Sequence, residues 1–242
     1  MQGSSYAPLN KNGKSEMKYR DFSPNLYPAR VRDQIIIMNI VDDNFYILSH
    51  QESINLLMCY TGEGNVTFMG RSVLTNTFNN YDKYNLFGVK DVLGVGVNFW
   101  SLRNSDVSFN SLFCVVRFIK LLHISHKLIR RGLPYTIDYL RKSFVAVRQR
   151  ELDMHSLIKH LNAATLFYPL KTTCLERSVA FFCYVIQHGY QPVLKIGVQN
   201  SPFYSHAWIE LDNEIIGDIK DLNERMVVIY QINLDVMKLC SR

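Results

Sequence analysis

The chain has 242 residues, of which 48% are hydrophobic and 20% charged, and its formal net charge is +6 at pH 7. This hydrophobic content is ample for a buried core and excludes global disorder. The basic residues are scattered along the chain rather than gathered with aromatic residues on one face, which favours an ordinary solvated surface over a nucleic-acid groove. We therefore expect no nucleic-acid partner.

The five cysteines include no Cys-x-x-Cys pair, so the usual spacing of a zinc site is missing and no metal site is predicted. An odd number of cysteines, in a chain whose first thirty residues lack the apolar segment of a signal peptide, favours a reducing cytoplasm. Residues 1–16 are rich in Ser, Gly, Asn and Lys. We interpret them as a disordered tail or an artificial remnant of expression.

The N-terminal part predicts a small mixed domain over residues 17–105. Residues 34–41 are rich in β-forming side chains and end at a cluster of turn residues, after which residues 45–48 supply a partner strand. Residues 49–60 show a short helical face. We expect a β-hairpin followed by a short helix.

The next region carries weaker signals. Residues 65–93 have no clear period and predict short helices or loops, and the Gly-x-Gly at residues 94–96 predicts a flexible turn or a strand rather than a dinucleotide site. The polar residues 101–110 are the candidate linker. A second domain is predicted over residues 106–242.

Three helices are predicted at the start of that second domain, over residues 112–131, 136–149 and 152–167. The first of them is apolar, but basic and histidine side chains recur through it. A membrane-spanning helix tolerates few such charges, so we expect an amphipathic helix on the protein's own core and no stable membrane insertion.

The candidate nucleophile is Cys174. Thr173 can cap a helix and Glu176, three residues on, completes a capping box, which places Cys174 at the first helical position. There the helix dipole and the unpaired N–H groups favour a thiolate. Cys183 lies on the apolar stripe of the same helix and is predicted to be a core residue.

The candidate base is His206. The predicted strand 206–211 puts Ala207 and its apolar alternates on one face and His206 and Trp208 on the other, away from the aliphatic side. Trp208 is predicted to wall the site or to pack. The other histidines are interpreted as ordinary structural residues.

The candidate orienting carboxylate is Asp218, after the predicted strand 214–218. A two-residue loop would pair His206 with Ile219 and turn Asp218 to the wrong face, so we expect a three-residue loop, or an equivalent bulge, that pairs His206 with Asp218. Asp221 is a nearby competitor for the role.

These segments together resemble the lasso-peptide B protein family. The residues that carry the resemblance are Phe167-Tyr168-Pro169-Leu170, the segment from Cys174 to Ala180, Ile196-Gly197-Val198, the segment from Phe203 to Trp208, and Asp218. The family's catalytic cysteine, histidine and aspartate fall on Cys174, His206 and Asp218. The resemblance implies an α+β protein with a transglutaminase-like, papain-like cysteine protease domain at the C-terminus.

The resemblance also implies a function. The enzyme would cut the leader from a ribosomally made lasso precursor in a bacterial cytoplasm, and an asparagine-synthetase-like macrolactam cyclase would then join the freed amine to an acidic side chain. ATP would be used by that cyclase, and no cofactor is expected on this chain. The N-terminal part would be a winged-helix, PqqD-like domain that takes the leader as an added strand. Its candidate leader-binding residues are Ile35, Ile37, Phe45, Ile47, Ile54 and Leu57.

The chemistry expected of the triad is attack by the Cys174 thiolate on a carbonyl carbon, with the backbone N–H of Cys174 or Leu175 receiving the oxyanion. Two alternatives remain open at this stage. An amine could resolve the thioester in place of water, which would make the protein an acyltransferase. The protein could instead be a non-catalytic scaffold that binds the leader.

Overall fold

A computed structural model describes residues 25–60, 66–68, 71–73, 92–95, 107, 111–143, 149 and 151–233. The protein is an α+β molecule with a three-stranded N-terminal sheet, a layer of helices and a four-stranded C-terminal sheet. This is the predicted fold class. The predicted tail, the predicted domain boundary at residue 105 and nearly all of the predicted linker lie outside the described residues.

The N-terminal sheet contains β1 (Leu26–Val31), β2 (Gln34–Asn39) and β3 (Asn44–Ile47), in that order and antiparallel. The predicted hairpin is confirmed as β2 and β3. Strand β1 was not predicted, because Pro28 interrupts its strand pattern. Proline is tolerated there because β1 is an edge strand of this sheet and needs hydrogen bonds on one side only.

Both faces of β2 are covered. Ile36 and Met38 lie in the large core that this sheet shares with the C-terminal part. Ile35 and Ile37 point to the opposite face and are buried there, where α1 (His50–Tyr60) packs against the strand. Burial on both sides explains why β2 is a continuous apolar run rather than an alternating one.

A short hairpin follows α1 and consists of β4 (Val66–Phe68) and β5 (Arg71–Val73). The prediction of helices or loops is wrong for these residues. Each strand is only three residues long, which is too short for alternation to be read from the sequence.

Four helices form the middle layer: α2 (Leu112–Arg130), α3 (Leu133–Lys142), α4 (Met154–Phe167) and α5 (Cys174–Ile186). The bounds predicted for α2 and α4 agree within two residues. Those predicted for α3 are wrong, because Pro134 lies inside its first turn, where a missing N–H costs nothing, and because the helix ends before Ser143. No helix within the described ranges is long and apolar enough to cross a membrane.

The C-terminal sheet contains β6 (Val193–Asn200), β7 (Phe203–Leu211), β8 (Glu214–Ile216) and β9 (Val227–Asn233), with the antiparallel order β8-β7-β6-β9. The short helix α6 (Leu222–Arg225) connects β8 to β9. Neither α6 nor β9 was predicted from the sequence. Helix α5 packs between α2 and this sheet, so its first residue lies against β7.

The two sheets are joined by direct contacts. Tyr27 on β1 meets Tyr230 on β9 edge to face at 4.6 Å, and Phe45 on β3 lies 5.5 Å from Phe203 at the start of β7. Buried residues of both parts belong to one large hydrophobic core. The N-terminal sheet is therefore held in a fixed place beside the strand that carries His206.

Candidate active site

The first turn of α5 is fixed by the predicted capping box. The Thr173 hydroxyl accepts the N–H of Glu176 at 3.2 Å, and the Glu176 carboxylate accepts the N–H of Thr173 at 2.8 Å. The other oxygen of Glu176 is bound at 2.7 Å by His126 of α2. Cys174 therefore begins the helix on an anchored turn, at the positive end of the helix dipole.

The face of β7 that carries His206 is aromatic. The rings of Tyr204, His206 and Trp208 follow one another at centroid distances of 6.5 and 6.3 Å and are nearly parallel. Ala207 and Ile209 point to the other face and lie in the large core, which confirms the predicted alternation. Trp208 lines the cleft beside His206, but its side chain is only 1% exposed, so it supports the imidazole from within the fold.

The position of the Trp208 ring is set by its neighbours. Its indole N–H donates to Glu210 at 3.0 Å, and Glu210 is in turn bound by Lys195 at 2.6 Å. The far edge of the ring lies over Gly197, where a Cβ atom would come within 2.6 Å of it. A glycine on β6 is thus required for the indole to lie across the sheet.

His206 meets Asp218. Its Nε2 atom lies 2.7 Å from one carboxylate oxygen, and the other oxygen accepts the backbone N–H of Ile219 at 2.9 Å. Both side chains are almost entirely buried. The competing carboxylate, Asp221, is bound instead by Arg225 of α6 at 2.7 Å. Asp218 is thus the carboxylate that the fold brings to the imidazole.

The route by which Asp218 reaches His206 differs from the predicted one. Leu211 pairs with Glu214 across a two-residue turn in which Asp212 and Asn213 both have positive φ, so the predicted three-residue loop is wrong. The pairing stops at the end of β8, and Gly217 has a φ of +71°. This left-handed residue turns the chain out of the ladder and redirects Asp218 towards the imidazole.

Cys174 contacts the same imidazole. Burial alone would raise the pKa of its thiol, but a hydrogen bond with His206, the charge of that ring, and the backbone N–H groups of Ala207 and Leu175 outweigh burial and lower it. In Cys183, which has no such partners, burial raises the pKa to about 12. Helix α5 therefore carries one cysteine whose thiol pKa is lowered, Cys174, and one core cysteine whose thiol pKa is raised, Cys183.

The pKa of His206 shifts in the opposite direction to that of Cys174. Burial lowers the pKa of its ring, yet hydrogen bonds with Asp218 and Cys174, together with their charges, raise it to about 9. A lowered thiol pKa and a raised imidazole pKa favour the thiolate–imidazolium pair at neutral pH. This is the state in which sulfur is nucleophilic and the imidazolium can donate a proton.

Backbone N–H groups surround the sulfur. Those of Leu175 and Ala207 help to lower the pKa of its thiol, while those of Thr173 and Glu176 take part in the capping box. The roles of the Cys174 and Leu175 N–H groups as oxyanion donors stay a prediction.

A small cleft opens at this point. Its wall includes Cys174, His206 and Asp218 as well as Arg177, one turn along α5 from the cysteine. Arg177 is buried and donates a hydrogen bond to Asn162 of α4. Burial lowers the pKa of its guanidinium to about 10, so it stays charged near Asp218 at neutral pH.

Arg177 was not predicted to be a site residue. Its position three residues after the nucleophile, on a helix rich in apolar residues, was an available signal, since a charged side chain there has to be accommodated in the core.

The candidate leader-binding residues fall into two groups. The side chains of Ile35 and Ile37 are fully buried, so they belong to the core beneath α1 and cannot contact a peptide. The others lie at or near the surface of β3 and α1: Phe45, Ile47, Ile54 and Leu57. Their role stays a prediction.

No group of three or more His, Cys, Asp or Glu side chains that could hold a metal ion occurs among the described residues.

Comparison with known proteins gives two matches. Residues 119–231, a little under half of the chain, match the family model of the transglutaminase-like superfamily. The chain is 27% identical over 143 residues to the microcin J25-processing protein McjB of Escherichia coli, an alignment that covers 55% of this chain and 66% of that protein, just under two thirds of its length. No solved structure gives a significant match. The chain is therefore similar to a microcin-processing protein over about half of its length, and residues 119–231 match the transglutaminase-like superfamily.

Proposed function

We propose that this protein is a cysteine peptidase that removes the leader from a ribosomally made lasso-peptide precursor. Cys174 would be the nucleophile, His206 the acid–base group and Asp218 the group that orients the imidazole. The observation that carries the proposal is one imidazole hydrogen-bonded to a carboxylate in a cleft that also contains a cysteine at a helix N-terminus. The similarity to a peptide-processing protein supports the substrate class.

In the first half of the reaction the Cys174 thiolate attacks the scissile carbonyl carbon. A C–S bond forms, the carbonyl π electrons move to oxygen, and the Cys174 N–H stabilises the oxyanion. The tetrahedral intermediate then collapses, the C–N bond breaks, and the His206 imidazolium gives its proton to the departing amine. The leader is left on the enzyme as a thioester, and the core peptide leaves with a free amine.

In the second half, water attacks the thioester. Neutral His206 takes a proton from that water, hydroxide adds to the carbonyl carbon, and breaking of the C–S bond returns the thiolate. Asp218 keeps the imidazole in the required orientation through both steps. The leader departs as a free carboxylic acid, which distinguishes this reaction from acyl transfer to an amine.

The N-terminal sheet would hold the leader. Within the described ranges β3 pairs only with β2, so it is an edge strand of this sheet, the kind of strand to which a peptide can add. Phe45 and Ile47 on β3, with Ile54 and Leu57 on α1, would supply side-chain selectivity. Because Phe45 contacts Phe203 at the start of β7, a leader on β3 would lie next to the catalytic strand.

The freed amine would pass to an asparagine-synthetase-like cyclase, which would use ATP to close the macrolactam. We place the reaction in the bacterial cytoplasm, because a thiol nucleophile has to stay reduced.

The test is precursor cleavage by wild-type protein and by Cys174→Ala, followed by mass spectrometry in the presence of the cyclase. We expect the variant to bind the precursor with unchanged affinity and to release no leader. Cys114→Ala is the matched control, because Cys114 is also partly buried but lies on α2. Full cleavage by Cys174→Ala would overturn the proposal.

A further inference from the structure

The edge of β7 next to the cleft is bound by a helix rather than by a strand. β8 pairs with β7 only from Ile209 to Leu211, so the preceding residues of β7 have no strand on that side within the described ranges. The carbonyl of Ala207 lies in this stretch and accepts the hydroxyl of Ser178 on α5 at 2.9 Å. In an antiparallel strand the N–H and C=O of one residue point to the same side. The Ala207 N–H therefore also faces α5.

On α5, Ser178 and Cys174 are four residues apart, which places their side chains on the same face, one helical turn apart. The two polar groups of Ala207 are thus matched by two side chains of one helix. The Ser178 hydroxyl takes the carbonyl, and the Cys174 sulfur receives the N–H. Ser178 is buried, so water does not replace it at the carbonyl.

The Ser178 hydroxyl has an unusual acceptor for a serine within a helix. A serine inside a helix usually returns its hydroxyl to the carbonyl four residues earlier, as Ser125 on α2 does with Leu121 at 2.8 Å. Ser178 instead donates out of its helix and across to the sheet. Its bond connects the element that carries the nucleophile to the strand that carries the base.

We propose that Ser178 is a positioning residue, which docks α5 on the open edge of β7 through Ala207 and so holds the Cys174 sulfur against the Ala207 N–H and beside His206. This inference rests on the proposed use of Cys174 as nucleophile. Without the Ser178 bond, the helix start and the strand are free to shift relative to each other. Because a misplacement of about 1 Å costs on the order of 100-fold in rate, a small shift is enough to matter.

The test is the pH dependence of iodoacetamide alkylation of Cys174. Digestion with trypsin isolates this cysteine in the peptide Thr172–Arg177, apart from every other cysteine of the chain. We expect Ser178→Ala to move the alkylation midpoint to higher pH, because the groups that favour the thiolate lose their alignment. Leader cleavage should fall by about 10- to 100-fold in kcat with little change in KM. Ser178→Thr, which keeps the hydroxyl, should restore both.

Ser125→Ala is the matched control, because it removes a buried serine–carbonyl bond of similar length that lies within α2 and does not involve β7. Alanine is the best helix former, so both alanine variants should fold, which circular dichroism verifies. A wild-type alkylation midpoint in Ser178→Ala would overturn the inference, as would equal shifts in Ser178→Ala and Ser125→Ala. Alkylation of Cys174 does not require peptidase activity. If the proposed function is wrong, wild-type protein will not cleave the leader, while the alkylation midpoints still test the role of Ser178.

Discussion

Asp218 holds the His206 imidazole through one carboxylate oxygen and the backbone of Ile219 through the other, so both of its oxygens are committed. A buried imidazolium is costly without such a partner. The thiolate–imidazolium pair exists between the lowered thiol pKa and the imidazole pKa of about 9. Activity should therefore rise at a pH below the ordinary thiol range and fall as the pH passes about 9.

The variant Asp218→Asn tests this electrostatic account. The neutral amide no longer favours the charged ring, so the pKa of His206 falls and the alkaline limb of the pH–rate profile moves to lower pH. At neutral pH the rate should drop by about 10³- to 10⁴-fold, as expected when the orienting carboxylate of a triad is lost. The measurement is kcat against pH. Asp221→Asn is the control, and an unchanged alkaline limb in Asp218→Asn would contradict the account.

At the scale of the elements, Gly217 determines where Asp218 lies. Its φ of +71° takes the chain out of the β7–β8 ladder, and a Cβ there would also come within 2.5 Å of the end of the Ile158 side chain. Alanine in this conformation costs about 1–2 kcal/mol, and relaxing the strain would draw Asp218 away from His206.

We expect Gly217→Ala to lose at least about 10-fold in kcat while remaining folded. Gly189→Ala is the matched control, because Gly189 has a similar φ of +84° but follows the far end of α5. Its stability should fall by a similar amount with kcat unchanged. The measurements are kcat and the thermal unfolding midpoint of both variants. Equal losses of kcat in the two variants would show that Gly217→Ala acts only through stability.

The elements that the sequence predicts well are those with local signals. The capping box at Thr173 and the alternation in β7 involve residues close in sequence, so the nucleophile and the face of the base were both accessible. The register of the β7–β8 hairpin could not be predicted, because Asp212-Asn213 suits either turn length. The bend at Gly217 could not be predicted either, because it depends on three-dimensional packing. Arg177 and Ser178 were missed for the same reason, since their partners lie on α4 and β7.

At the scale of the whole molecule, the N-terminal sheet and the catalytic part share one hydrophobic core. Ile36 of β2 and Ile229 of β9 belong to the same buried cluster, and aromatic pairs close the boundary between the sheets. A leader bound at β3 would therefore contact a sheet that shares one hydrophobic core with β7.

This continuity predicts cooperative unfolding. Ile36→Ala should destabilise the protein by about 2–5 kcal/mol, because it removes a fully buried side chain from the shared core. Differential scanning calorimetry should give one transition that moves as a whole to lower temperature. Two transitions, of which only one moves, would show that the sheet folds independently of the catalytic part.

The central claim is that Cys174, activated by His206 and Asp218, forms a thioester with the leader. The most direct measurement is acid quenching during turnover of the precursor, followed by mass spectrometry of the peptide Thr172–Arg177. The account predicts that this peptide carries the leader in wild-type protein and that no adduct forms in Cys174→Ala. Leader release without any adduct on Cys174, at a rate that Cys174→Ala leaves unchanged, would contradict it.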